Sequence, residues 1–258
     1  LKYRHNPLDA SASFNLKLIL NQILIALKNK SFLIFFFGYL FLAMSWGMGS
    51  SLQIYMNTYF WEFSSSILAA YILVYLLATF SSFLIVPFLV LHFEKRTIIL
   101  FAIALAAIIP PIPIILMLNN LLPARGTFEL FLATIPFVYF ANVCLASSAI
   151  IRESMLGDIS DEVELESNLG QQGLMFASSS LIAKFNTGLG ILMAGIALEL
   201  IGFSRSSTVD PSSEEIFNLA MVQGPVVTFL MCIPIFIFSF YGIDRKKHKA
   251  IIAKLDAR

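Results

Sequence analysis

ILAAYILVYLLATFSSFLIVPFLVL, residues 67–91, contains no charged side chain. About 20 apolar residues in an α-helix cross a hydrocarbon layer about 30 Å thick, so this stretch is long enough to span a membrane. The rest of the chain has a similar character, with 58% hydrophobic residues, 13% charged residues and a mean hydropathy of +0.83. Soluble domains carry about 25% charged residues. The sequence therefore predicts an integral membrane protein.

Five further apolar runs of similar length are separated by short polar segments. Together with the first they predict six transmembrane helices over residues 31–54, 67–91, 97–118, 128–151, 173–203 and 216–241. Several of these runs contain proline, which predicts kinks that a membrane bundle tolerates because neighbouring helices satisfy the freed carbonyl groups. The predicted fold class is an all-α membrane protein whose six transmembrane helices form one bundle.

Lysine and arginine are distributed unevenly between the two sides of these spans. With the N-terminus inside, most of them fall in inner segments, and Arg125 and Arg205 fall in the outer ones. The positive-inside rule then places both termini in the cytoplasm. We expect the protein to lie in the cell membrane. We predict a cytoplasmic linker with an amphipathic helix over residues 1–30, the bundle over residues 31–243 and a basic cytoplasmic tail over residues 244–258.

No combination of nucleophile, base and orienting group is recognisable, so we predict neither an enzyme nor a cofactor. A formal charge of +1 argues against a nucleic-acid partner. The acidic run from Glu153 to Glu166 falls in a predicted cytoplasmic loop. Such a run is usually a solvated loop, and we predict no metal site. A polytopic membrane enzyme with a metal at this acidic loop remains an alternative of another class.

Lys184 is the basic residue that lies deep within a predicted span. It follows Gly173 by about 16 Å along a helix, which is close to the middle of the bilayer. A charge there costs about 2.5–3.5 kcal/mol, so such residues usually face a cavity or a partner. We predict that Lys184 faces a solute cavity; a structural ion pair is the alternative. Gly188, Gly195 and Gly202 share its helix face, which fits either close helix packing or a cavity.

Polar and aromatic residues cluster at the outer end of the first span, where Tyr55 and Asn57 lie. An interfacial aromatic belt would explain part of this cluster, and an outer gate over a cavity is the alternative. Ser180 precedes Lys184 by about one helical turn. The predicted cavity residues are Lys184, Tyr55, Asn57, Ser180 and Gly188.

The stretch SMLGDISDEVELESNLGQQGLMFASSSLIAK, residues 154–184, carries a family resemblance. It resembles the loop between helices ten and eleven, and the start of helix eleven, in the glycoside-pentoside-hexuronide:cation symporters. These form the melibiose-permease-like branch of the major facilitator superfamily. The matching positions are Ser154, Met155, Asp158, Asp161, Glu164, Gly173 and Lys184. The chain departs from the family pattern at Ser167, Asn168, Gly170 and Gln172, where Thr, Gly, Arg and Glu are usual.

The resemblance implies a fold of twelve helices in two bundles, of which this chain supplies helices seven to twelve. It implies cation-coupled symport of a sugar or glycoside by alternating access, with Na⁺ or H⁺ bound mainly by the N-terminal half. That half, the bilayer and the solute are the implied partners. Asp158, Asp161 and Glu164 would form a cytoplasmic gate that pairs with basic loops of the other half. The same fold carrying a lysophospholipid or another amphiphilic solute remains the alternative.

Overall fold

The computed structural model describes residues 25–167, 172–203 and 211–257, apart from the side chains of residues 185–187. Within these ranges the chain is helical and has no β-strand. Five helices come first: α1 (Lys30–Tyr55), α2 (Ser65–His92), α3 (Lys95–Ile108), α4 (Pro111–Leu118) and α5 (Phe128–Ser167). Four follow: α6 (Gln172–Leu200), α7 (Ser213–Met221), α8 (Val227–Phe238) and α9 (Arg245–Asp256).

Six helical stretches of the described chain are long and apolar enough to cross a membrane, which confirms the six predicted spans. They are Lys30–Phe60, Ser65–His92, Lys95–Leu118, Phe128–Ser167, Gln172–Leu200 and Ser213–Phe238. The third span combines α3 with α4, and the sixth combines α7 with α8. Most of the amphipathic helix predicted in residues 1–30 lies outside the described residues, as does Arg205.

The spans pack as a bundle in the order α6, α1, α8, α3, α5 and α2. Two clusters of buried side chains form its core. One lies toward the ends of the spans that carry Lys95 and α9, and Phe35, Met155 and Phe238 belong to it. The other lies toward the opposite ends and includes Met56 and Leu130. We call these two ends of the bundle the charged end and the cavity end.

Proline interrupts the third span where the prediction placed a kink. Pro111 has no backbone N–H, so the carbonyl group of Ala107, four residues earlier, loses its helical partner. The hydroxyl group of Thr228 on α8 donates to this carbonyl oxygen at 2.9 Å. A neighbouring helix thus satisfies the group that proline freed, as expected for a kinked helix in a membrane.

Two other spans contain a π-helical turn. The first π-helical turn, Met56–Phe60, continues α1. The second, Val222–Val226, joins α7 to α8 and contains Pro225. A π-helical turn inserts one extra residue into a helix and is frequent at functional sites. Both turns lie at the cavity end of the bundle.

Helices α1 and α6 are in close backbone contact where two glycines meet. A Cβ atom at Gly190 would lie 2.4 Å from the carbonyl carbon of Gly47 and 2.5 Å from its Cα atom. This contact does not involve the predicted glycine face that includes Lys184. Gly188 belongs to that face, and nothing lies within 4 Å of a Cβ atom at its position. Gly202, with φ +71, lies beyond the end of α6 instead of on its face.

The predicted loop conformation after the fourth span is wrong for residues 152–167, which are helical. Residues 152–167 continue α5, whose 40 residues extend from Phe128 to Ser167. A helix of this length measures about 60 Å, twice the thickness of the hydrocarbon layer. The polar part of α5 stays helical because its carboxylates pair with side chains of other elements. The helix therefore continues beyond the end of the apolar run.

Thiol labelling would test the predicted orientation of the bundle. Ala124 lies at the cavity end and Ala250 lies on α9 at the charged end, and both are exposed. In a variant with Cys144 and Cys232 replaced by serine, we expect a membrane-impermeant maleimide to label Ala124→Cys in intact cells. Ala250→Cys should react only after permeabilisation. Both substitutions leave the lysine and arginine pattern unchanged, and external labelling of Ala250→Cys would contradict the orientation.

Candidate functional site

A cavity of about 450 Å³ opens at the cavity end of the bundle. Residues of α1, α2, α3, α4, α5, α8 and both π-helical turns line it, and the described residues of α6 do not contribute. Small ligands usually occupy pockets of about 300–1,000 Å³ that combine apolar walls with a few polar groups. The size of this cavity therefore suits one small solute.

The described side chains that line the cavity carry no charge. Aromatic side chains form part of its walls, among them Trp46, Trp61 and Tyr75. The hydroxyl groups of Tyr71 and Thr134 lie 2.5 Å apart and are hydrogen-bonded to each other across α2 and α5. Such walls can bind neutral polar groups and stack against flat apolar surfaces.

A row of three side-chain amides crosses one wall of the cavity. Nε2 of Gln223 donates to the carbonyl oxygen of Gly49 and to Oε1 of Gln53, at 3.2 Å in both cases. Nε2 of Gln53 donates in turn to Oδ1 of Asn57 at 2.9 Å. We call Gln223, Gln53 and Asn57 the amide row. The prediction included Asn57 and missed the two glutamines.

The other predicted cavity residues lie elsewhere. Tyr55 packs edge-on against the ring of Phe203, with ring centroids 5.6 Å apart. Ser180, Lys184 and Gly188 are exposed on α6, and the Ser180 hydroxyl donates to the backbone of its own helix. Lys184 forms no ion pair with any described residue. Of the five predicted cavity residues, the structure thus places Asn57 in the wall of this cavity.

The charged end holds a network of ion pairs around two of the three predicted gate residues. Nζ of Lys95 lies 2.7 Å from both carboxylate oxygens of Asp158, which is 8% exposed. Nε2 of His248 lies 3.0 Å from Asp161 and 3.4 Å from Asp158. Glu164 forms no ion pair within the described part of the chain. Asp158 and Asp161 thus have partners in α3 and α9 of this chain, where the prediction expected the other half.

Helix α9 is held against the charged end by further contacts. Nζ of Lys247 lies 2.5 Å from Oε1 of Glu162. The guanidinium group of Arg245 donates to backbone carbonyl groups at the end of α2, including that of Phe93 at 2.6 Å. Burial raises the pKa of the Tyr241 phenol, and the negative charges of Asp158 and Glu162 raise it further. Tyr241 therefore stays neutral beside these carboxylates.

Arg152 lies inside the bundle on α5, although the predicted fourth span ended at residue 151. Its side chain is 12% exposed, and its guanidinium carbon lies 3.8 Å from the centroid of the Tyr39 ring. The carboxylate of Glu153, 3.7 Å from Nε of Arg152, accepts a hydrogen bond from Ser179 on α6 at 3.0 Å. Arg152 and Glu153 thus link α1, α5 and α6, which the sequence did not indicate.

The Lys95–Asp158 pair predicts a measurable loss of stability. Asp158→Asn should lower the free energy of unfolding by about 1–3 kcal/mol, because Lys95 and His248 lose a buried anionic partner. Glu164→Gln is the matched control on the same helix and should have little effect. Thermal unfolding of the purified protein in detergent measures both. Equal losses for the two variants would contradict the structural role of the pair.

Comparisons with known proteins agree with this architecture. A family model described as MFS/sugar transport protein matches residues 3–245. An uncharacterized symporter of Synechocystis is 27% identical over 46% of the chain. Sodium-dependent lysophosphatidylcholine symporter 1 of Gallus gallus is 23% identical over 42% of the chain, and an uncharacterized symporter of Bacillus subtilis is 24% identical over 33%. All three are named as symporters, which supports the prediction that the chain is not an enzyme.

These matches are partial on both sides. The aligned segments cover 23%, 21% and 18% of the lengths of the three relatives. The chain therefore spans only a fraction of the relatives it matches.

Proposed function

The chain belongs to the MFS/sugar transport protein family, and we propose that it forms the C-terminal half of a secondary transporter that carries a sugar or glycoside together with a cation. The cavity and its uncharged wall carry this proposal. Amide and hydroxyl groups hydrogen-bond the hydroxyl groups of a neutral solute, and aromatic rings cover its apolar faces. A charged solute would gain no ion pair from the described wall.

Alternating access supplies the mechanism of this proposal. Two bundles rock about a site near the middle of the membrane, and this chain contributes one of them. Helix α2 exposes large apolar side chains, among them Leu73, Phe80 and Leu84, to lipid or to the other bundle. No carboxylate of the described chain lines the cavity, so we assign the coupling ion, Na⁺ or H⁺, mainly to the N-terminal half. The membrane is the cell membrane, with both termini in the cytoplasm.

A lysophospholipid or another amphiphilic solute is the second candidate. The Gallus gallus relative is named as a lysophosphatidylcholine symporter. The aromatic side chains of Trp46, Trp61 and Tyr75 in the cavity wall offer cation–π contacts to a quaternary ammonium group. The cavity has no basic side chain among its described lining residues to pair with a phosphate group, which favours the neutral solute.

Uptake into proteoliposomes would test the proposed function. We expect the full-length protein to accumulate at least one labelled sugar or glycoside when a sodium or proton gradient is imposed, while this chain alone accumulates none. Asn57→Leu should reduce uptake by about tenfold because it removes a hydrogen bond of the cavity wall. Asn119→Leu, outside the cavity, is the control and should leave uptake unchanged.

Two results of this experiment would contradict the proposal. Gradient-driven uptake of labelled lysophosphatidylcholine, with none of the sugars accumulated, would favour the second candidate. Uptake by this chain alone would show that the second bundle is not required.

A further inference from the structure

We propose that Gln223, on the sixth span, is a positioning residue that makes Asn57 a hydrogen-bond donor to the solute. The identity of the solute class rests on the proposed function; the orientation of the amide row does not. Gln223 acts through Gln53, and the row ends at the side-chain nitrogen of Asn57 in the cavity wall. The recognised solute group is then an acceptor oxygen, such as that of a hydroxyl or an ether.

The backbone of α1 fixes the first amide of the row. The carbonyl oxygen of Gly49 can only accept hydrogen bonds, so the side-chain group of Gln223 that faces it at 3.2 Å must be the NH₂ group.

The orientation of Gln223 determines the orientation of the next two amides. Because Gln223 presents its NH₂ group, the atom of Gln53 that faces it at 3.2 Å must be the oxygen. The NH₂ group of Gln53 then points to Asn57, whose Oδ1 atom accepts at 2.9 Å. The remaining group of the Asn57 amide is its NH₂ group. It has no hydrogen-bond partner among the described residues, and Asn57 lines the cavity.

Both ends of the amide row lie in π-helical turns. Asn57 belongs to the first π-helical turn and Gln223 to the second. The extra residue of such a turn rotates the following side chains relative to a regular α-helix. Oε1 of Gln223 is buried and has no partner within the described residues. A buried acceptor without a partner costs free energy. Such unsatisfied groups occur where function constrains the orientation of a side chain.

Hydrogen exchange of the side-chain amides would test the orientation without any solute. The full-length protein, labelled with ¹⁵N in asparagine and glutamine and placed in nanodiscs, gives NMR signals that single substitutions can assign. We expect the NH₂ protons of Asn57 to exchange at least about tenfold faster than those of Gln53 and Gln223, which are hydrogen-bonded. Protected Asn57 protons with fast exchange at Gln53 would show the opposite orientation and overturn the proposal.

Uptake measurements would test the consequence for recognition. The probes are D-glucose, D-galactose, D-xylose and their monodeoxy derivatives. Gln223→Leu should lower the discrimination between a transported sugar and one of its deoxy derivatives by about fivefold to tenfold, since Asn57 is no longer oriented. In an Asn57→Leu background, Gln223→Leu should have no further effect on this ratio. Asn218→Leu on the same span, whose side chain does not line the cavity, is the matched control.

The outcomes separate the two proposals. If no sugar is transported, the proposed function fails, while the exchange rates still decide the orientation of the amide row. If a sugar is transported and Gln223→Leu behaves like Asn218→Leu, the positioning role of Gln223 fails and the proposed function stands.

Discussion

Replacement of Lys184 by alanine is expected to reduce cation-driven uptake by the full-length protein about 10-fold to 100-fold, the range for loss of a hydrogen bond to a charged group. The side chain is exposed on α6, near the predicted middle of the membrane, and forms no ion pair with a described residue. A charge at this depth costs about 2.5–3.5 kcal/mol. A contact with the solute or with the other half during transport would offset that cost.

Amounts of protein in the membrane must be measured with the uptake of the Lys184 variants. Lys184→Ala should accumulate normally, because removal of the charge eases insertion. Lys184→Arg should retain more uptake than Lys184→Ala. Lys254→Ala on α9, exposed and outside the spans, should transport normally. Normal uptake by Lys184→Ala would make Lys184 a tolerated charge, whereas failure to accumulate would indicate a structural ion pair whose carboxylate is left unpaired.

Replacement of Gly190 by alanine is expected to destabilise the bundle by about 3 kcal/mol. The added Cβ atom would lie 2.4–2.8 Å from the backbone of Gly47, a distance that no side-chain rotation can relieve. Helices α1 and α6 would have to separate, although the contact between them is the most extensive in the bundle. Dispersion contacts along the whole interface would weaken with them.

Gly188→Ala provides the matched control two residues earlier on the same helix. Nothing lies within 4 Å of a Cβ atom at this position. Alanine there should be neutral or stabilising, since it favours the helix by up to about 1 kcal/mol relative to glycine. Thermal unfolding in detergent, monitored by size-exclusion chromatography, compares the two variants. Equal unfolding temperatures would contradict the close contact between Gly190 and Gly47.

The spans were predictable because transfer from water to lipid depends mainly on local composition. Runs such as residues 67–91 are apolar on all sides, and the structure places a helix over each one. The same criterion failed after Ile151, where the sequence becomes polar but α5 continues. Its carboxylates are paired with Lys95, Lys247 and His248. These partners are distant in sequence, so the local pattern contained no sign of them.

The candidate site was less predictable because its walls come from segments far apart in the chain. Asn57 and Gln53 belong to one cluster of aromatic and amide groups, and of these two amides only Asn57 was predicted to line the cavity, whereas Gln223 lies in an otherwise apolar run. The available signal was Gln223 followed by Gly224 and Pro225 within a span, because glycine and proline favour a departure from regular helix geometry. Spacing alone could not show that three amides meet. Lys184 drew attention through its charge, yet the described residues of α6 do not line this cavity.

Helix α5 is long enough to transmit a movement from one end of the bundle to the other. One helix carries Thr134 and Asn142 in the cavity wall and Asp158 at the charged end, without interruption at Pro136. Sixteen residues separate Asn142 from Asp158, a distance of about 24 Å, so a tilt of about 10° at the cavity would displace Asp158 by about 4 Å. A displacement of that size is larger than the 2.7 Å that separates Nζ of Lys95 from the Asp158 carboxylate. Closure of the cavity wall around a solute would therefore pull Asp158 away from Lys95 at the opposite end of the same helix.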